Sequence, residues 1–76
     1  MHTVFYLENH EHIALCDLLK AAGLAESGGA AKSAVAAGEV RRNGETETRK
    51  TAKIRAGERI ECAGSSIEVR AGHDAG

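Results

Sequence analysis

Apolar residues near the start of the chain recur with the spacing of one helical face. Four of them stand at positions i, i+3, i+4 and i+7, namely Leu15, Leu18, Leu19 and Ala22. The spacing predicts a helix from about residue 11 to residue 22, and Gly23 supplies a left-handed cap at its end. Before this helix, the β-branched and aromatic run from residue 3 to residue 7 predicts a short strand at the edge of a sheet.

A second helix is indicated directly after the first. Ser27 can cap its first turn through the hydroxyl group, and Gly38 ends it after about residue 37. Its apolar face is small, since it consists of Ala31, Ala34 and Val35. Small side chains allow a close approach, so we expect the two helices to pack as a tight pair.

After Gly38 the pattern changes to the period of two that is typical of strands. Asn43-Gly44 is the strongest short-range signal for a two-residue hairpin, because both residues tolerate positive φ. Gly57 marks another turn, and a half-buried hairpin follows it. With Gly64-Ser65 as its loop, the predicted register pairs Ile60 with Val69 and Cys62 with Ile67, so that all four lie on one face.

These elements predict an α+β fold in which two packed helices are followed by a small, mostly antiparallel sheet. The chain has 76 residues, enough for one small domain. We expect this domain to span residues 1–71 and residues 72–76 to form a flexible tail. The sequence contains no apolar run long enough to span a membrane and no export signal, so we expect a cytoplasmic protein without a membrane partner.

The distribution of charge adds information that the net charge of -1 hides. Residues 27–59 carry eight basic and four acidic side chains, a net charge of +4, whereas the segments on either side are acidic. Such asymmetry points to the place where an anionic partner docks.

The start of the second helix is one candidate for binding an anion. Unpaired N–H groups and the helix dipole favour negative charge there, and Gly28 and Gly29 allow a phosphate to approach the backbone. Lys32, about one turn further along, can supply a full positive charge. The simpler interpretation is that Ser27 only caps the helix.

The basic cluster of the central segment is the second candidate. It consists of Arg41, Arg42, Arg49, Lys50, Lys53 and Arg55. Phosphate backbones are common partners of such clusters, although a solvated surface paired with nearby glutamates explains the same pattern. The two aromatic residues lie outside the cluster, so structured RNA fits better than a stacked single strand.

No pattern in the chain indicates catalysis, a metal site or a cofactor. His10 and His12 have no further ligand nearby in sequence, and we interpret them as surface residues. Cys16 and Cys62 have the setting of small core residues, without a CxxC pair or a disulfide framework. The sequence therefore predicts a protein that is not an enzyme.

The spacing of turns and caps resembles a known family, the RNA-binding domain of ribosomal protein S4, also called the alpha-L motif. The matching residues are Gly23, Ser27, Ala31, Val35, Gly38, Val40, Asn43, Gly44, Gly57 and Ile60. Within that family, the run from residue 26 to residue 50 looks like the small, single-domain bacterial branch of YbcJ-type RNA-binding proteins.

The resemblance implies that structured RNA is held along the start of the second helix and the adjoining hairpin. Its carried-over candidates are Ser27, Lys32, Arg41, Asn43, Arg49 and Lys50. Two departures stand out. Gly28 follows the serine where a basic residue is common, and Arg42 precedes the Asn-Gly turn where an apolar residue is common. We expect altered RNA contacts, with ribosomal RNA and transfer RNA as candidate targets of a monomeric protein.

Two alternatives from other classes remain open at this stage. A β-grasp sulfur carrier also has a short first strand, a helix and a glycine end, and would act through Gly76. A protein adaptor would use the basic face to meet an acidic partner. The second helix and the ending from His73 to Gly76 disfavour the carrier, while cross-linking with and without RNase would separate the adaptor from an RNA-binding protein.

Overall fold

The computed structural model describes residues 1–72, which form nine short elements. In chain order they are β1 (His2–Tyr6), β2 (Ile13–Ala14), α1 (Leu15–Ala21), α2 (Gly28–Ala36), β3 (Val40–Arg42), β4 (Glu45–Thr46), β5 (Lys53–Ile54), β6 (Arg59–Cys62) and β7 (Ser65–Arg70). The predicted α+β class, with two packed helices before a mostly antiparallel sheet, is confirmed.

The main sheet has five strands in the order β1-β7-β6-β3-β4. The pairing of β1 with β7 is parallel, and the other pairings are antiparallel. β1 lies at one edge, as the sequence predicts. A separate antiparallel pair, β2 with β5, is not apparent from the sequence, because each of its strands has only two residues and carries no alternation.

Both helices pack on one face of the main sheet. Leu15, Leu18 and Leu19 of α1 are buried together with Ala31 and Val35 of α2. The sheet contributes the buried residues Val40, Ile60, Ile67 and Val69 to the same core, and Ile54 of β5 joins them. This core fixes which side of each strand faces the helices.

Local signals define α2 as expected. The Ser27 hydroxyl accepts a hydrogen bond from the Ala30 N–H at 3.1 Å, and Gly38 follows the helix with a φ of 77°. The first helix is shorter than predicted, since it begins at Leu15 rather than near residue 11. The N–H groups of Leu15 and Cys16 donate to the carbonyls of Ala52 and Lys50 at 2.9 and 3.0 Å. Carbonyl groups from a segment far along the sequence therefore accept hydrogen bonds from the N–H groups at the start of α1.

The register predicted for the last hairpin is wrong. Its loop is Ala63-Gly64, and Ile60 pairs with Ile67 while Cys62 pairs with Ser65. The difference from the predicted register is two residues, which leaves every side chain on its expected face, so the hydrophobic pattern could not distinguish the two. The observed register also places Arg59 opposite Glu68, whereas the predicted register would have placed Glu61 there, an unfavourable pair of like charges.

Gly72 is the first residue of the tail that the sequence predicts. The Glu8 N–H donates to the Gly72 carbonyl at 2.7 Å, so Gly72 is joined to the end of the first strand region. The remainder of the predicted tail, residues 73–76, lies outside the described residues, and with it Gly76 of the sulfur-carrier alternative.

Candidate functional site

The two arginines before the Asn43-Gly44 turn point to opposite faces of the sheet. Arg42 pairs with Ile60 and Arg41 with Glu61 across β3 and β6. Side chains alternate along a strand, and Ile60 is buried beneath the helices. Arg42 therefore projects toward the helix side, whereas Arg41 lies on the outer face. The single cluster predicted from the sequence is divided between two surfaces.

Arg42 is the centre of a hydrogen-bonded ion-pair network. Its Nε and Nη2 donate to the two carboxylate oxygens of Glu58 at 2.7 and 3.1 Å, and Nη1 donates to Glu47 at 3.1 Å. Nη2 also donates to the Lys53 carbonyl at 3.0 Å. The Arg42 side chain is only 24% exposed, so its stem covers apolar core while its charge is neutralised. This arrangement accounts for a charged residue before the turn.

Arg49 shares the Glu47 carboxylate but is far more accessible. Its Nε and Nη2 donate to Glu47 at 3.2 and 3.1 Å, and its side chain is 73% exposed. Hydrogen bonding from Arg49, followed by that from Arg42, outweighs burial and lowers the pKa of Glu47 from 4.5 to about 2. Glu47 therefore stays ionised at neutral pH and competes with any external anion for Arg49.

Glu58 organises the other side of the network. It accepts from the Arg55 N–H at 2.6 Å and from Asn43 Nδ2 at 3.1 Å, in addition to Arg42. Burial raises the pKa of Glu58, but the hydrogen bonds from Arg42, Arg55 and Asn43 outweigh it, and the net pKa is lowered. Asn43 also accepts from the Arg59 N–H at 2.9 Å. The Asn43 side chain thus serves the hairpin itself.

A concave surface lies beside this network, and we name it the basic groove. It is lined by Arg42, Arg49, Thr51, Ala52, Lys53 and Arg55. Four of these six residues carry positive charge, and none of the described residues that line the groove is a carboxylate. Glu47 and Glu58 line an adjoining cleft, which shares Arg42 and Arg49 with the groove. The groove therefore concentrates accessible cations on the helix side of the sheet.

The remaining candidates lie outside the lining of the groove. The Lys50 carbonyl accepts from the Cys16 N–H at the start of α1, which fixes its backbone while its side chain is exposed. Ser27, Gly29 and Lys32 are exposed at the start of α2, and Gly28 is partly exposed. A Cβ added at Gly28 would meet nothing within 4 Å, so packing does not require glycine there.

Sequence reasoning missed the organising role of Glu47 and Glu58. Glu47 stands two residues before Arg49, a local signal that fits the paired-glutamate interpretation. Glu58 is 16 residues from Arg42 and lies in a turn, so no short-range pattern could have joined them. Their pairing depends on the register of β3 against β6.

The histidine and cysteine candidates lie outside the lining of the basic groove within residues 1–72. His10 and His12 line a separate cleft with Phe5 and Tyr6, and no group of three potential metal ligands occurs among the described residues. Cys16 and Cys62 are buried free thiols, and burial raises the pKa of Cys62. No described helix combines the length and apolar character needed to cross a membrane.

Known proteins are similar to this chain in sequence. Residues 5–70 match the S4 domain family. The chain is 51% identical over 65 residues to a protein of Escherichia coli (strain K12) named "Putative RNA-binding protein YbcJ", and the match covers 86% of this chain and 93% of the relative. A Shigella flexneri protein named "Uncharacterized protein YbcJ" matches with the same identity over the same length.

A solved structure is similar as well. The solution structure of YbcJ from E. coli, described as revealing an alpha-L motif involved in RNA binding, matches with a TM-score of 0.70 and 49% sequence identity. The match covers 88% of this chain and 85% of that chain. The helix pair and its sheet are therefore common to both proteins.

Proposed function

The chain belongs to the S4 domain family, and we propose that it binds structured RNA by holding the phosphate backbone in the basic groove. The RNA partner is supported by the E. coli relative, which is named a putative RNA-binding protein and whose solution structure is described as containing a motif involved in RNA binding, since it shares about half of its aligned residues with this chain. The chain acts by binding alone, as a cytoplasmic monomer, and no catalytic step is assigned to it.

The observation that carries this proposal is the composition of the groove. Arg49, Lys53 and Arg55 line it without a carboxylate among the described lining residues. Cations that neutralise phosphates release counterions from the nucleic acid, and this release favours binding. An Arg side chain can also contact one phosphate through two N–H groups.

The start of α2 supplies a second set of contacts in this proposal. Ser27 already satisfies the Ala30 N–H, which leaves the amides of Gly28 and Gly29 for an anion, and Lys32 is exposed one turn along. Glycine in a helical first turn costs stability relative to alanine. The open space around Gly28 gives no packing reason for that cost, which supports a role in admitting a phosphate.

A folded RNA suits this surface better than a single strand. Single strands are held by aromatic side chains on which bases stack. Phe5 and Tyr6 line the cleft with His10 and His12, and neither lines the basic groove. The groove therefore offers charge without a stacking platform, as expected for recognition of shape and backbone.

Titration with a stem-loop RNA and with an unstructured oligouridine of equal length tests this function. We expect tighter binding to the stem-loop, with an affinity that falls as salt rises. The Lys32→Glu/Arg49→Glu variant should bind more weakly, and its salt slope should fall by about one ion for each phosphate that is no longer neutralised. Lys20→Glu/Arg59→Glu, with the same change of net charge at exposed positions, is the control. Equal binding of wild type and the first variant would reject the proposed contacts.

The alternative to RNA binding is that the chain is an adaptor that binds another protein. Cross-linking in cell extract with and without RNase provides the distinction. Partners that survive RNase unchanged, with no RNA cross-linked, would replace the RNA-binding function with protein binding.

A further inference from the structure

The Arg42 guanidinium uses four of its five N–H donors within the protein. Its four hydrogen bonds reach three separate segments, through Glu47, Lys53 and Glu58. A guanidinium has five N–H donors in a fixed planar fork, so little capacity is left for an external anion. A phosphate contact through two N–H groups would require Arg42 to break at least one of these bonds, and its main partner, Glu58, has a side chain that is only 16% exposed. An unpaired carboxylate at such a site is costly.

The same network holds the backbone of the groove. Arg42 donates to the Lys53 carbonyl at 3.0 Å, and Glu58 accepts from the Arg55 N–H at 2.6 Å. The Arg42–Glu58 pair is thus bonded directly to the main chain of both cations. Their side chains are exposed and form no ion pair within residues 1–72.

We propose that Arg42 and Glu58 are positioning residues for RNA binding, which fix the backbone so that Lys53 and Arg55 face the RNA in the groove. This inference rests on the proposed function and adds to it a division of labour among the cations. Arg42 provides geometry, whereas Lys53, Arg55 and the exposed Arg49 provide phosphate contacts.

Glu58→Gln provides a test in which a role in charge and a role in positioning predict opposite changes in RNA affinity. The substitution removes a negative charge beside the groove while it keeps the size of the side chain. If charge alone determined affinity, binding to the stem-loop RNA would become tighter. Positioning requires weaker binding, and we expect affinity to fall about fivefold, because a neutral side-chain amide cannot hold Arg42 through two charge-assisted bonds.

Arg42→Lys separates charge from geometry in a second way. Lysine keeps the positive charge but cannot reproduce the planar fork. We expect Arg42→Lys to weaken stem-loop binding about fivefold, whereas the matched control Arg59→Lys, at an exposed position on the outer face, should change it by less than about twofold. Both variants are compared with wild type at temperatures where thermal unfolding shows them folded.

A double-mutant cycle provides the readout that a purely stabilising role would not move. Lys53→Gln should weaken binding less in the Arg42→Lys background than in wild type, because Lys53 is already misplaced there. Arg41→Lys, on the outer face, should combine additively with Lys53→Gln.

The possible results separate a failure of the positioning role from a failure of the proposed RNA-binding function. Tighter binding by Glu58→Gln, or full additivity of Arg42→Lys with Lys53→Gln in a chain that binds the stem-loop, would overturn the positioning role alone. Absence of salt-dependent stem-loop binding by the wild-type chain would overturn the proposed function and the inference with it.

Discussion

The outer face of the sheet and the basic groove contain similar cations in different surroundings. On the outer face, Arg41 lies beside Glu61 and Arg59 lies opposite Glu68, so opposite charges alternate across neighbouring strands. At the groove, the carboxylates of Glu47 and Glu58 lie in the adjoining cleft and accept hydrogen bonds from Arg42 and from the Arg55 N–H, while the described lining of the groove carries none. The charges of the outer face therefore largely neutralise one another, whereas the groove presents accessible positive charge.

The largest expected difference concerns folding stability. Arg42→Met should lower the free energy of unfolding by about 2–3 kcal/mol, because Glu58 loses its paired cation at a largely buried position. Arg41→Met, at the adjacent exposed position, should change it by less than about 0.5 kcal/mol. Urea unfolding of both variants measures the difference, and equal effects would contradict the assignment of the two arginines to different environments.

Neutralising the exposed cations tests the same comparison through RNA binding. Lys53→Gln/Arg55→Gln should weaken stem-loop binding about tenfold and lower the salt slope by about two ions. Arg41→Gln/Arg59→Gln removes the same charge from the outer face and should weaken binding about twofold or less. Fluorescence titrations at several salt concentrations provide both quantities. Similar reductions for the two pairs would indicate that net charge, not the groove, determines affinity.

The sequence predicts what depends on neighbouring residues. The Ser27 cap, the end of α2 shortly before Gly38 and the Asn43-Gly44 turn follow from local backbone requirements, and the structure contains all three. The opposite directions of Arg41 and Arg42 are also implicit in the strand period. The sequence-based hypothesis nevertheless groups them by charge.

Long-range pairing is the part that the sequence does not specify. The start of α1 depends on carbonyls of Lys50 and Ala52, far along the chain. The Arg42–Glu58 pair depends on sheet register, and a two-residue slip in the last hairpin leaves the hydrophobic pattern unchanged. Contacts between residues that are far apart in the sequence are therefore apparent only from the folded structure.

A smaller effect should follow from releasing Arg49. Glu47→Gln removes the carboxylate that accepts three hydrogen bonds from Arg49. We expect stem-loop binding to tighten by about threefold at low salt, since the freed guanidinium can bind phosphate instead. Glu45→Gln, an exposed neighbour outside this network, is the control for the removal of negative charge. Weaker binding by Glu47→Gln would show that Glu47 chiefly holds Arg42 in place.

The smallest effect concerns the dependence of stability on pH. The pKa of Glu47 is lowered from 4.5 to about 2, so its stabilising contribution is complete above 4.5 and is lost as the pH falls toward 2. Glu58, whose pKa is also lowered, contributes in the same direction. Thermal unfolding across this range should show a shallower acid dependence for Arg42→Met than for wild type. An unchanged slope of stability against pH would show that the network does not contribute to the acid dependence.

The most direct test of the account is to map the RNA-contacting surface by NMR. Amide chemical shifts of the 15N-labelled chain are followed while a stem-loop RNA is added. We expect the largest changes in residues 49–55 and in residues 27–32, with small changes at Arg41, Arg59 and Glu61. Changes concentrated on those three outer-face residues, with the groove unaffected, would contradict the proposed RNA-binding site.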